Sequence, residues 1–157
     1  MESADATIEV GPSAARLTRS LRDIGYDFVT ALADIVDNSI SANATKIDID
    51  ICFAGAESSV IVADDGDGMT GAELTEALRF GSRRKYSAGD LGKFGLGLKT
   101  ASLSQCRKLT VASRKSRSYK RIEARVLDLG WIEAHDRWAI EVVPASEQGK
   151  LPKICVD

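Results

Sequence analysis

The apolar run Val60-Ile61-Val62-Ala63 stops at Asp64-Asp65-Gly66-Asp67-Gly68-Met69. β-branched residues favour a strand, and glycines set among aspartates cannot continue it. The chain must turn there and leave carboxylates at a strand end. A segment lies on each side of this run. ALADIVDNSISANA (31–44) carries an acid, Asp34, and an amide, Asn38, spaced i, i+4, so both project from one helix face. GKFGLGLKTAS (92–102) sets Gly92, Gly95 and Gly97 at the opening of another helix. Each segment alone is weak evidence, and their order is the informative part.

The rest of the chain supplies the frame. Ser13 caps a short helix through Leu21 that ends near Gly25. A longer helix runs from about Asp27 to Asn43 with Phe28, Leu32, Ile35 and Val36 toward the core. Residues 46–53 alternate, with Ile47, Ile49, Ile51 and Phe53 on one face, as in a half-buried strand paired with 59–63. Thr70 and Glu73 form a capping box that starts a helix through about Arg79. Residues 81–91 are polar, basic and glycine-punctuated, a loop, and a helix then runs to about Gln105. Strands are expected near 107–113, 118–127 and 137–143, with His135 in a turn. Short turns between strands predict an α+β, two-layer sandwich: a mostly antiparallel mixed sheet with helices on one face.

Composition sets the outer bounds. A chain of 157 residues, 44% hydrophobic and 28% charged, suits one globular domain spanning 1–157. No run approaches the roughly 18 apolar residues of a membrane span, and MESADATIEV lacks a signal-peptide pattern, so a cytoplasmic location and no membrane partner are expected. Cys52, Cys106 and Cys155 lack metal-ligand spacing and read as buried thiols of a reducing compartment. A net charge of −2 gives a nucleic-acid partner no support. The local cluster Arg114, Lys115, Arg117, Lys120, Arg121 and Arg125 can meet phosphates, but it reads better as a charged hairpin edge.

The chemistry on offer is that of a nucleotide site. The Asn38 amide oxygen suits Mg²⁺, which takes most of its ligands from waters and phosphates. A carboxylate one turn away, Asp34, can orient and deprotonate a water attacking a γ-phosphate. Asp64 can accept from the exocyclic amino group of adenine while Gly66 and Gly68 let the backbone approach the ring. A calcium loop fails on spacing. Gly92 to Gly97 is neither a dinucleotide fingerprint nor a P-loop, because a polar loop rather than a strand precedes it and Leu98 interrupts before Lys99-Thr100. A glycine loop entering a helix N-terminus remains, an anion site to which Lys85, Lys93 and Lys99 can add charge.

The order acid helix, D-x-G-x-G, G-x-x-G-x-G resembles the GHKL superfamily, whose gyrases, heat-shock chaperones, histidine kinases and mismatch-repair ATPases share the Bergerat ATP-binding fold. The likeness covers roughly residues 12 to 115. FGSRRK before the loop and GKFGLGLKTAS after it look most like the microrchidia-type branch and its bacterial histidine-kinase-like relatives. The resemblance implies ATP and Mg²⁺ as cofactors, Asn38 as the magnesium ligand, and Asp34 at the general-base position. It implies Asp64 as the adenine-reading acid. Gly66, Gly68 and Met69 would line the adenine and ribose side, and Lys85, Gly92, Lys93, Phe94, Gly95, Leu96, Gly97 and Lys99 the phosphate side. Residues 70–91 would be the ATP lid, and Thr110 the candidate for the late threonine near adenine.

Asp34 stands where hydrolysing members carry a glutamate, one methylene longer, which predicts slow turnover. Related proteins also draw a lysine from a following domain, so a downstream domain of the same chain and a nucleotide-dependent homodimer are implied partners beside ATP and ADP. The chain reads as the N-terminal part of a longer protein. A non-hydrolysing nucleotide switch and a histidine-kinase-like catalytic domain are the alternatives. The second is opposed by the acid at position 34 and by the lack of a phospho-acceptor helix before Ser13.

Overall fold

The computed structural model describes residues 8, 10–23, 25–79, 97–116 and 121–152. In chain order these form α1 (Ala14–Arg22), α2 (Phe28–Ser41), β1 (Ile47–Cys52), β2 (Ser59–Asp64), α3 (Gly71–Leu78), α4 (Gly97–Gln105), β3 (Lys108–Ser113), β4 (Glu123–Asp128), α5 (Leu129–His135) and β5 (Glu141–Val142), with two short 3-10 turns. The class is α+β. β1 and β2 pair antiparallel, and β3, β4 and β5 form a second antiparallel sheet in that order. Every pairing among the described residues is antiparallel, so the parallel component of the expected mixed sheet is not seen there.

Local chemistry sets the helix starts as the sequence implies. The Ser13 and Asp27 side chains accept from Arg16 N–H and Thr30 N–H, and the Thr70–Glu73 box is complete in both directions. Ser13 also donates to Asp136 Oδ1 at 2.8 Å, and Ala15 N–H bonds the same oxygen at 2.9 Å, so α1 is capped from the far end of the chain as well. Arg22 closes the other end of α1, donating to the carbonyls of Leu103 at 3.0 Å and Cys106 at 2.8 Å.

The core gathers Ala14, Leu103, Leu127, Leu129 and Ile132, with Leu109, Trp138 and Ile140 packed around it. Thus α1, α4 and α5 meet the β3–β4 sheet, and Leu109 lies opposite Leu127 across the ladder. On the same sheet α3 covers β4 with Leu74 and Leu78, both fully buried. Burying a leucine contributes about 1.5–3 kcal/mol. Exposed ion pairs such as Lys46–Asp48 are screened by solvent and add little. Apolar contact, not ion pairing, therefore holds helices to sheet.

Several expectations are corrected here. Phe28 is 38% exposed, and the buried residues of α2 are Ala31 and Ser39. Ile49, Ile51 and Phe53 are 44%, 38% and 85% exposed. Residues 129–135 fold as α5, started by Asp128, whose carboxylate accepts from Gly130 and Trp131 N–H. His135 therefore ends a helix, its ring stacked on Trp131 at 4.2 Å and its Nδ1 2.8 Å from the Trp131 carbonyl. The strand expected over 137–143 shrinks to Glu141–Val142, since Trp138 and Ile140 turn into the core. Cys52 is exposed rather than buried; Cys106 is half-buried, which pushes its thiol pKa up. The basic cluster is dispersed: Lys115 pairs with Glu73, Arg121 with Glu123, and Arg125 is buried against Glu123 and Thr75. Arg117 and Lys120 lie outside the described residues. Among the described residues no helix is long and apolar enough to cross a membrane.

Two carboxylates tie this frame to pH. Hydrogen bonds from the Thr45 hydroxyl and the Lys46 and Thr45 amides lower the Asp65 pKa from 3.8 to about 2. The Thr70 amide, then Lys115, lower Glu73 from 4.5 to about 2. A depressed folded pKa adds stability that is fully present above the unfolded value and is lost as pH falls toward the folded one. Thermal stability should therefore decline between about pH 4.5 and about pH 2. Asp65→Asn should lower the melting temperature at pH 7 and flatten that acid limb, as thermal melts across the range will show.

Candidate functional site

The turn after β2 is fastened to the end of α2 and the start of β1. Asp64 Oδ2 accepts from the Ser39 hydroxyl at 2.8 Å, and its Oδ1 from Gly66 N–H at 3.0 Å. Asp65 accepts from Thr45 N–H and hydroxyl, both at 2.7 Å, and from Lys46 N–H at 2.8 Å. Asp67 N–H donates to the Ala42 carbonyl at 2.6 Å, and its carboxylate accepts from Asn43 Nδ2 at 2.8 Å. All three carboxylates are thus engaged within the fold, which removes the calcium-loop alternative on geometry as well as spacing. Asn43 holds a left-handed φ of 59°, a conformation asparagine tolerates better than most residues.

Asp64 is nonetheless exposed. A carboxylate has roughly four lone-pair positions, and two are used here. It can accept a further donor such as an exocyclic amine, so the residues present fit an adenine. Gly66 and Gly68 are required by close approach. A Cβ on Gly66 would stand 2.6 Å from the Ala42 carbonyl oxygen, and one on Gly68 would overlap the Arg114 backbone. Met69 N–H donates to the Ser113 hydroxyl at 2.7 Å, joining the β2 turn to the end of β3.

That contact identifies a residue the sequence reading missed. Leu109 faces the core, so by alternation Val111 and Ser113 share its face, and Thr110 lies on the opposite one. Thr110 is exposed there, paired with Val126, while Ser113 stands beside the Asp64–Met69 turn. Neither the strand's register nor its inward side is fixed by a run as short as KLTVAS.

On α2, Asp34 and Asn38 lie one turn apart, Asp34 half-buried and Asn38 exposed. Asp34 Oδ2 accepts from the Tyr26 hydroxyl at 2.9 Å. The same contact raises the Tyr26 pKa, so the phenol keeps its proton and acts as a donor. Among the described residues no three His, Cys, Asp or Glu side chains gather as a metal site. A lone amide oxygen still fits Mg²⁺, an ion that keeps waters and phosphates as its other ligands.

On the phosphate side, Gly97 opens α4; Lys85, Gly92, Lys93, Phe94, Gly95 and Leu96 lie outside the described residues. Lys99 is 1% exposed, and its ammonium donates to the Ala77 carbonyl at 2.7 Å, joining α4 to α3. Burial pushes its pKa down, with the Glu76 carboxylate opposing. In this arrangement its head group meets α3 rather than solvent. A cleft of about 320 Å³ lined by Val126, Asp128, Trp131, Ala139, Ile140 and Glu141 contains none of the predicted site residues. The α2–β2 hydrogen bonds, not a cavity, define the Asp64 turn.

The close approach at the β2 turn has a measurable consequence. Gly68→Ala should cost about 1–3 kcal/mol, because the Arg114 backbone must move. Gly149→Ala, with open space around it, should stay within about 0.5 kcal/mol. Denaturant midpoints of the two variants will separate these outcomes.

The family described as histidine kinase-, DNA gyrase B-, and HSP90-like ATPase matches residues 26–154. ATPase morc-1 of Caenorhabditis elegans is 33% identical over 87 residues, 55% of this chain and 10% of that protein. DNA mismatch repair protein MutL of Rickettsia prowazekii is 31% identical over 102 residues, 62% of this chain and 17% of that protein. MutL of Phenylobacterium zucineum is 30% identical over 115 residues, 68% of this chain and 17% of that protein. The matches span less than a fifth of the length of these relatives. With the family match covering most of the chain, including the acid helix and the Asp64 turn, the chain belongs to the histidine kinase-, DNA gyrase B- and HSP90-like ATPases, the GHKL family.

Proposed function

We propose that this chain binds Mg-ATP, with adenine read by Asp64, and hydrolyses it slowly, acting as a nucleotide-driven switch. The observation that carries the reading is the clamp on Asp64. Ser39 and Gly66 N–H hold an exposed carboxylate at the end of β2, and Ser39 lies on the helix that carries Asp34 and Asn38. One rigid helix thereby relates the adenine end of the site to its chemical end. Gly66, Gly68 and Met69 line the adenine and ribose side, and the glycine loop ending at Gly97 takes the phosphates. Closure of residues 70–91 over the nucleotide and dimerisation rest on the family resemblance.

In the reaction, Asp34 accepts a proton from water as the water oxygen bonds to the γ-phosphorus. The bond from that phosphorus to the β–γ bridging oxygen breaks, and ADP leaves with the electron pair. Mg²⁺, when bound, supplies charge neutralisation at the phosphate oxygens, with the Asn38 amide as its protein ligand. A second reading, a switch that binds without turnover, is favoured by the aspartate at position 34, whose carboxylate reaches one methylene less far than a glutamate.

Calorimetric titration with ATP and ADP, with and without Mg²⁺, tests the site. Asp64→Asn should weaken ATP binding about ten-fold or more at a temperature where the variant is folded, since a charged acceptor is lost. Normal affinity in that variant refutes the assignment. Asn38→Ala should remove the magnesium dependence of binding, and retained dependence would place the metal elsewhere. Asp34→Asn should abolish phosphate release while leaving binding intact; a wild-type chain that binds without release selects the second reading.

A further inference from the structure

We propose that Tyr26 is the positioning residue for Asp34, holding a short carboxylate in the orientation that water activation requires. The inference rests on the reading of Asp34 as the general base.

Tyr26 lies outside α2, one residue before its Asp27 cap, yet its hydroxyl reaches Asp34 Oδ2 at 2.9 Å, eight positions along the chain. Its backbone is also fixed. Gly25 before it holds a left-handed φ of 79°, a conformation that favours glycine. The Tyr26 carbonyl accepts from Gln105 Nε2 at 2.6 Å, at the end of α4. The phenol is therefore anchored at its base by another helix and at its tip by Asp34. Among the described residues no other group bonds the Asp34 side chain, which leaves Oδ1 to accept from water.

An aspartate carboxylate turns about a broad torsion next to its charged group. A single donor on one oxygen selects the rotation that presents the other. A third group that orients a base is a recurring arrangement, and small misplacements of a base are costly in rate. The half-buried tyrosine is rigid enough to impose that choice, whereas a surface serine or lysine in its place would add rotamers of its own.

Tyr26→Phe keeps the ring and removes only the donor. Steady-state phosphate release from the chain should show kcat lowered about ten-fold, since a misplaced base is costly in rate. KM for ATP and calorimetric ATP affinity should be unchanged. In an Asp34→Glu background, where the carboxylate is carried past the hydroxyl, the same substitution should alter kcat less than about two-fold. An unchanged kcat in Tyr26→Phe overturns the inference while the reading of Asp34 stands. So does a loss accompanied by weaker ATP binding, or an equal loss in the Asp34→Glu background, since each marks a packing role. Full turnover in Asp34→Asn, or none in the wild type, removes the reading of Asp34 as base and the inference with it.

Discussion

The union of the β2 turn with the end of α2 is the constraint from which the rest of the site follows. Asp64, Asp65 and Asp67 stand in one short turn, where unpaired carboxylates would repel one another. Each is instead given its own donors by the segment from Ser39 to Lys46. The arrangement forces glycine at positions 66 and 68, because the Ala42 carbonyl and the Arg114 backbone occupy the space a side chain would need. It also sets where α2 ends. Asn43 leaves the helix in a left-handed conformation and passes its amide to Asp67.

The consequence for function is a division of labour along α2. The helix buries the small residues Ala31 and Ser39 and packs against α4. Its other residues can then present Asp34 and Asn38 at a fixed spacing from the Asp64 carboxylate. The neighbouring helices use polar groups in the same economical way. Lys99 and Arg125 are charged yet buried, the first donating to the Ala77 carbonyl and the second to Thr75, Glu123 and the Ala124 carbonyl. Such groups lock α3 to α4 and to β4, and removing one partner would leave a costly unpaired donor or acceptor.

The fold shows where short elements escape a reading by pattern. α5 is seven residues long and contains Gly130, too short to display a helical period and started by a single acid, Asp128. The alternation of Trp138 and Ile140 suggested a strand, yet both residues serve the core, and only Glu141–Val142 joins the ladder. In β1 the same alternation marked a true strand but said nothing about cover, and Ile49 and Ile51 remain open on one face. Periodicity reports which residues share a face; it does not report what that face meets.

From the sequence alone came the residue types and spacings that chemistry needs: an acid and an amide one helical turn apart, a carboxylate after an apolar strand, glycines in the turn, and helix caps at Ser13 and Thr70. These are local properties, governed by dihedral preference and by hydrogen bonds reaching three or four residues, so they are legible in a linear string. Only the tertiary structure decided that Ser113 and not Thr110 stands beside the Asp64 turn, that Ser39 grips Asp64, that Lys99 faces Ala77, and that Tyr26 meets Asp34. Those facts depend on strand register, on which face of a sheet turns inward and on how closely helices approach. Contacts between segments far apart in the chain set them, and no local pattern encodes such contacts.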